Sequence, residues 1–278
     1  MALLALTLAL LAMTVATTAY EVTPLDMAPD SFDDRYQGCG PAMMEELPAL
    51  NRSEFQKNPL FAKVWPEAVK QWQRRGSRVY PLSSSAQAIA LMAYTMDDLY
   101  QQFNDDVREL GRSPQEYRDN FHFKTLHFLL TDALGTLRDA QGKQCRCVLR
   151  GTDKYLFQAN VGDIVRFGQF ASASLCKDIA QGFGSTTVFK VQTCYGAHIK
   201  NFSRYPIEDE VLIPPFEKFK VTKVTEDGEK VRIHLDSIGT YSKYNCEWLE
   251  GGSIPMAPSH LGGLLLATTA LAMATGIL

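Results

Sequence analysis

Three carboxylates, Glu208, Asp209 and Glu210, stand directly before the apolar run Val211-Leu212-Ile213, which Pro214 and Pro215 close. If that run is a strand and the extended chain reaches back to 208, Glu208 and Glu210 point to one face and Asp209 to the other. Two acids side by side can divide labour, one stabilising a developing cation while the other handles a proton. The plainer alternative is a solvated acidic loop leading into a strand. Two earlier motifs carry complementary chemistry. Cys145-Arg146-Cys147-Val148-Leu149-Arg150-Gly151 places Arg150 at a strand end, where it can grip a phosphate in bidentate fashion, and Gly151 lets backbone approach a ligand. A surface arginine before a turn is the competing reading. Phe170-Ala171-Ser172-Ala173-Ser174 follows a turn at Gly168, and a serine there can orient a carboxylate or a ribose hydroxyl. An edge strand with two exposed serines is its alternative.

The elements that must position these groups fall into two halves. Phe61, Val64, Trp65, Ala68 and Trp72 recur at helical spacing, ended by Arg74-Arg75-Gly76. Ile89, Met92, Met96, Leu99, Phe103, Val107 and Leu110 predict one long helix, stopped by a left-handed Gly111. Ser113-Pro114-Gln115-Glu116 is a capping box, from which Tyr117, Phe121, Phe128 and Leu129 continue a helix toward Gly135 or Gly142. His122 and His127 fall within it and are assigned no catalytic role. Glu21 to Glu46 has no helical period. From Gln144 onward the chain turns to short β-rich runs: 147–149, 163–167, 187–191, 210–213, 219–221 and 231–235. Helices over 50–142 and strands over 143–248 give an α+β pattern. No G-x-G-x-x-G links a strand to a helix, so a Rossmann unit is not supported.

Both ends read as processed. Residues 1–19 are uncharged and Leu/Ala-rich, with small residues at Thr17 and Ala19, as in a secretory signal peptide. Gly251-Gly252-Ser253, a short spacer and an uncharged stretch from Leu261 to Leu278 match a glycolipid (GPI) anchor signal, so that 253–278 is removed. The mature part, 20–252, is then one domain on the outer face of the plasma membrane, secreted and lumenal forms remaining open. With 46% hydrophobic and 21% charged residues and a net charge of −3, nothing suggests nucleic-acid binding or disorder. Six cysteines in an oxidising compartment suggest bridges, and Cys39 and Cys246 lie where one would tie the mature ends. No C-x-x-C pair is present, and no metal is expected. Asn51-Arg52-Ser53 and Asn201-Phe202-Ser203 are glycosylation acceptors.

Taken in order, an arginine on one strand, aromatic-x-S-x-S on a second and E-x-E on a third resemble the R-S-E group of mono-ADP-ribosyltransferases. More closely, the chain looks like the vertebrate ecto-ADP-ribosyltransferases, over most of its mature length. The resemblance implies NAD as co-substrate, bound in a cleft of a split, mixed/antiparallel β-sheet with the helical half packed at one side. It implies that Arg150 holds an NAD phosphate or the nicotinamide ribose, that Gly151 offers backbone to the nicotinamide amide, and that Ser172 positions Glu210. Glu210 would bond the nicotinamide-ribose 2′-hydroxyl, and Phe183, in the loop 181–185, would stack on nicotinamide. A glutamate first in E-x-E goes with an arginine acceptor, making Glu208 the acceptor-side residue. The implied bridges are Cys39–Cys246 and a cysteine near Arg150 with Cys194, for which Cys145 is chosen; Cys147 and Cys176 are then a departure, as a third bridge or free thiols. The implied partners are arginine-bearing proteins, with agmatine as a small surrogate, the chain acting as a monomer that meets the membrane through its lipid alone.

The chemistry is coherent without the family. Breaking a nicotinamide–ribose bond develops positive charge on the sugar, which a fixed carboxylate in a dry cleft stabilises. An arginine acceptor is cationic and inert until a second carboxylate orients it and helps it lose a proton. Two other readings remain at this point: an NAD glycohydrolase of the same fold, and a non-enzymatic surface-binding module.

Overall fold

The structure, a computed structural model, describes residues 20–175, 186–228 and 230–250. A helical layer comes first: α1 (Gly40–Lys57), α2 (Pro59–Arg74), α3 (Ser85–Tyr94), α4 (Tyr100–Glu109), α5 (Pro114–Asn120) and α6 (Lys124–Ala140). The helical region therefore begins at Gly40, not at 50. In α1 only Met43, Leu50 and Glu54 are buried, and Pro48 lies inside it, so no apolar period marks it in the sequence. Its Glu54 is buried because it caps a neighbour. The carboxylate accepts from Lys124 N (2.5 Å) and Thr125 N (3.0 Å), the free N–H groups opening α6, which has no side-chain cap of its own.

The stretch from Ile89 to Leu110 forms two helices, not one. Thr95 turns its hydroxyl back onto the carbonyls of Leu91 (3.0 Å) and Met92 (3.1 Å), ending α3. The apolar stripe runs on because α3 and α4 both bury it in one core. Gly111 is not left-handed. It is glycine because an added Cβ would stand 2.3 Å from Phe32 N, where the N-terminal segment crosses. The helix expected after Ser113 also breaks, at the buried Phe121 and Phe123, and its second part ends at Gly142, which is left-handed (φ 78°). Ser113 accepts from Glu116 N at 3.1 Å, as an N-cap should.

The strands are β1 (Glu21–Pro24), β2 (Arg146–Thr152), β3 (Tyr155–Gln158), β4 (Ile164–Val165), β5 (Ala171–Ser174), β6 (Thr187–Thr193), β7 (Ala197–His198), β8 (Glu210–Ile213), β9 (Glu217–Asp227) and β10 (Lys230–Thr240), with a final turn of helix, α7 (Glu247–Glu250). β1 and β3 pair in parallel by themselves. The others form one mixed sheet in the order β4-β9-β10-β6-β2-β5-β8-β7. Among the described residues β10–β6 is its one parallel pair. This α+β arrangement has two apolar cores. One holds the helices against Phe170, Ile199, Phe202 and Leu212, and the other packs Val148, Phe189, Val191, Phe219 and Ile233 on the far side of the strands. Along β8 residue alternation divides the two, Leu212 facing the first core and Val211 and Ile213 the second.

A clasp joins the first and last parts of the described chain. Asp33 takes the Arg166 guanidinium at 2.5 Å and the backbone N–H of Lys243 at 2.8 Å, and the Arg166 and Asp33 side chains are fully buried. Asp34 accepts from the N–H groups of Tyr36, Cys246 and Glu247 (2.8, 2.9 and 2.8 Å). Cys39 is bonded to Cys246 beside them, and Cys145 to Cys194 at the start of β2. These are the two pairs the resemblance implied. Cys147 is exposed and unbridged, while Cys176 lies outside the described residues.

Candidate active site

β2 and β5 share a single registered pair, Leu149 with Ser174, although β2 stays paired to β6 along its whole length. Beyond that pair the sheet opens, and this opening makes the site. Arg150 stands at it, half-buried. Its Nη1 donates to the Ser172 carbonyl at 2.7 Å, so a side chain spans the gap that a backbone bond would otherwise close. Gly151 stays within β2, buried and paired with Val188.

On the other lip, β5 pairs with β8, setting Ser172 opposite Leu212 and Ser174 opposite Glu210. Glu210 is 5% exposed. Its Oε2 accepts from the Ser203 hydroxyl at 3.2 Å. The Ser172 hydroxyl lies near enough to lower the pKa of both the Glu210 carboxylate and the Tyr94 phenol. Tyr94 is itself fixed by donating to the Phe170 carbonyl (3.0 Å) and accepting from Asn104 (3.2 Å). Burial pushes Glu210 up to about 7; the Ser172 hydrogen bond opposes this, the charge of Glu208 adds to it, and Ser203 and Arg150 oppose it. Burial also depresses the Arg150 guanidinium, with Tyr94 opposing, Arg108 adding and Glu210 opposing. The groups that interact with Arg150 therefore include both Glu210 and Arg108.

Glu208 and Glu210 do not share a strand face, as an extended chain would have required. Glu208 ends a 3₁₀ turn, Pro206–Glu208, and Asp209 is left-handed (φ 49°, ψ 45°) before β8 begins at Glu210. Aspartate is among the few residues that adopt this conformation singly. Asp209 is pinned by His198 Nε2 (3.0 Å) and Lys200 Nζ (2.8 Å) through one oxygen. Ser174, the second serine of S-x-S, donates to the Glu208 carbonyl at 2.7 Å. Across the turn, Tyr205 donates its hydroxyl to Asp97 at 2.8 Å, tying the α3–α4 junction to the glutamates. Glu208 is half-buried and raised in pKa, by burial first and by Asp97 second. A turn rather than a strand thus brings the two carboxylates within electrostatic reach.

A cavity of about 400 Å³ adjoins Arg150, and Arg108, Gln169, Tyr155, Phe157 and Phe189 contribute to its walls. That size suits a small-molecule site. Glu208 and Glu210 are not among the cavity's walls; Arg150, which interacts electrostatically with Glu210, is common to cavity and acid cluster. Sequence reasoning missed Tyr94, Ser174, Ser203 and Asp97. Ser174 and Ser203 stood in motifs noted for other reasons, the S-x-S stretch and a glycosylation acceptor, while Tyr94 and Asp97 lay in the stretch read as one long helix. Phe183 lies outside the described residues. Asn51 is half-buried within α1, and Asn201 is exposed after β7. His127 is buried and neutral. Its Nε2 must donate to the Phe32 carbonyl (3.1 Å), leaving Nδ1 to accept from Tyr36 (2.9 Å), and burial drops its pKa to about 3. It serves the core. Among the described residues no group of three His, Cys, Asp or Glu could hold a metal ion, and no helix is long and apolar enough to cross a membrane.

A split mixed sheet with helices on one side is the architecture of the mono-ADP-ribosyltransferases. The crystal structure of the eucaryotic mono-ADP-ribosyltransferase ART2.2 superposes with a TM-score of 0.70 at 39% identity, covering 80% of this chain and 98% of that one. A variant of that enzyme in complex with NAD gives 0.69 at 38% identity over the same shares. The family model for NAD:arginine ADP-ribosyltransferase matches residues 25–243, and the chain belongs to that family. It is 50% identical over 229 residues to the erythroblast NAD(P)(+)--arginine ADP-ribosyltransferase of Gallus gallus, covering 81% of this chain and 76% of that one. It is 46% identical over 252 residues to the GPI-linked NAD(P)(+)--arginine ADP-ribosyltransferase 1 of Mus musculus, covering 86% and 78%.

Proposed function

We infer that this protein transfers the ADP-ribosyl group of NAD to arginine side chains of proteins and releases nicotinamide. The observation that carries the reading is the meeting of Arg150, Ser172, Glu210 and Glu208 where the sheet parts. In this reading the NAD diphosphate lies by Arg150, the ADP half extends into the adjoining cavity, and the nicotinamide ribose reaches Glu210. The glycosidic C–N bond breaks with its electron pair leaving on nicotinamide, and positive charge builds on the ribose. Ionised Glu210, held by Ser172 and Ser203, stabilises that charge where little water competes. Glu208 orients the incoming guanidinium and accepts the proton lost as its nitrogen bonds the anomeric carbon.

Residues 1–19 and 251–278 lie outside the described residues. Their composition, together with the GPI-linked name of the mouse relative, supports a cell-surface protein held by a lipid anchor, its domain spanning 20–252. The test is incubation of the protein with labelled NAD and agmatine. Label on agmatine is the expected result. Free ADP-ribose as the main product would make it a hydrolase, and no NAD consumption would overturn both.

A further inference from the structure

The part of the sheet made by β9, β10, β6 and β2 buries one face in the second core and leaves the other open. Phe189 and Ile233 point inward, while their neighbours Lys190 and Arg232 are exposed. Strand register then lines up the outward residues. Lys223, His234 and Lys190 stand side by side across β9, β10 and β6, one row from Lys220, Asp236 and Gln192. Arg232 continues the face, between Thr225 and Val188. An open hollow of about 460 Å³ lies among Cys147, Lys190, Gln192, Thr222, His234 and Asp236, which places these side chains on one surface. The His234 imidazole is held below its ordinary pKa by partial burial and then by Lys190 and Lys223, with Asp236 opposing.

Like charges directly opposite on neighbouring strands repel. Lys190, Lys220, Lys223 and Arg232 are exposed, and among the described residues none forms an ion pair with a carboxylate. The chain as a whole carries −3, so the positive face is a local feature. Its cations follow the inter-strand step of ~4.8 Å, a spacing suited to a linear polyanion rather than one small anion. Among the described residues the face offers no Phe, Tyr or Trp on which a base could stack, which disfavours single-stranded nucleic acid. Of the exposed large apolar side chains among the described residues, Ile238, two residues beyond Asp236 on β10, and Ile164, opposite Lys220 on β4, stand at its margin, and two such side chains are too little to anchor the face in a membrane.

We propose that this outer sheet face binds a sulfated polysaccharide laid across β9, β10 and β6, with Lys190, Lys220, Lys223 and Arg232 as its sulfate contacts. The surface lies on the opposite side of the sheet from Phe189 and the cavity beside Arg150, so binding leaves catalysis intact. The inference does not depend on the catalytic reading. The test uses the whole protein on immobilised heparin, with Lys190 and Lys223 both changed to Glu, and separately Lys63 and Lys70, exposed on α2, as a control of equal charge change. The wild type should be retained at physiological salt. The Lys190→Glu/Lys223→Glu protein should bind at least about tenfold more weakly, with a salt slope lower by about two. The control should stay within about twofold of wild type, and Lys190→Arg/Lys223→Arg should bind as wild type does. A thermal melt, unchanged in every variant, verifies that each is folded. Flow-through of the wild type at physiological salt, an equal loss in the control, or tighter binding to DNA or to phosphatidylserine vesicles than to heparin would overturn the proposal.

Discussion

Arg166 and Arg150 both leave the sheet toward carboxylates, and they are used in opposite ways. Arg166, in the clasp, makes four hydrogen bonds: to the carbonyls of Met27 (2.8 Å), Ala28 (3.0 Å) and Tyr241 (3.0 Å), and to Asp33 (2.5 Å). A guanidinium has five N–H donors, so this one is nearly spent on the fold. Among the described residues Arg150 has one such bond, to the Ser172 carbonyl, and a cavity beside it. The carboxylates follow suit. Burial raises both Asp34, to about 6, and Glu210, to about 7, but Asp33 and Asp34 are surrounded by N–H donors from the clasp, whereas Glu210 accepts from the Ser203 hydroxyl. A buried charge with a full set of partners holds a structure together. A buried charge with donors left over beside a cavity awaits a ligand.

The contrast can be broken from either side. Removing Asp33 strands a buried guanidinium, so Asp33→Ala should cost about 3–5 kcal/mol of stability while turnover per folded molecule survives; thermal melts read alongside agmatine labelling check this. Glu210→Gln should do the reverse. Both transfer and NAD hydrolysis should fall on the order of a hundredfold or more. Its melting temperature at pH 8 should equal or exceed wild type, because a carboxyl whose pKa is raised on folding stabilises below its unfolded value and loses that contribution as pH rises through about 7. For catalysis the sign runs the other way: the anion is the working form, so kcat/KM for NAD should decline about tenfold per unit as pH drops below about 7. Glu208→Gln sharpens the division within the pair. Arginine transfer should fall at least about tenfold while some hydrolysis persists, and the pH limb should move to lower pH because the neighbouring negative charge is gone. Equal loss of both activities would remove Glu208 from the acceptor side. The smallest effect belongs to Ser203→Ala, which deletes one hydrogen bond to Glu210; a loss of hydrolysis of about three- to tenfold is expected, seen in steady-state rates.

Much of this was legible beforehand because it rests on residue type and order. The α+β division and the strands β2, β4, β5, β6, β8, β9 and β10 follow from residue type and order, although β9 and β10 run well past the short runs that marked them and β3 and β7 left no signal; Arg150, Ser172, Glu208 and Glu210 were candidates on the same grounds. What escaped depends on local geometry. The junction between α3 and α4 is silent because Thr95 turns the chain without interrupting its apolar stripe. The backbone at Asp209 is set by contacts to His198 and Lys200, which lie on a separate stretch of chain. Ser203 and Tyr94 meet Glu210 and Ser172 only once α3 and β8 pack, and a single hydroxyl carries no period to betray it. The role of Gly111 was misread because close approach and left-handed backbone select the same residue.

The Cys39–Cys246 bond has a mechanical consequence. Tension applied beyond Glu250 meets that covalent link before it reaches β10, and is carried sideways into the start of α1. The strands that hold Arg150 and Glu210 then share the load with α1, so tugging on the C-terminal side should disturb the jaws of the cleft less than it would without the bond.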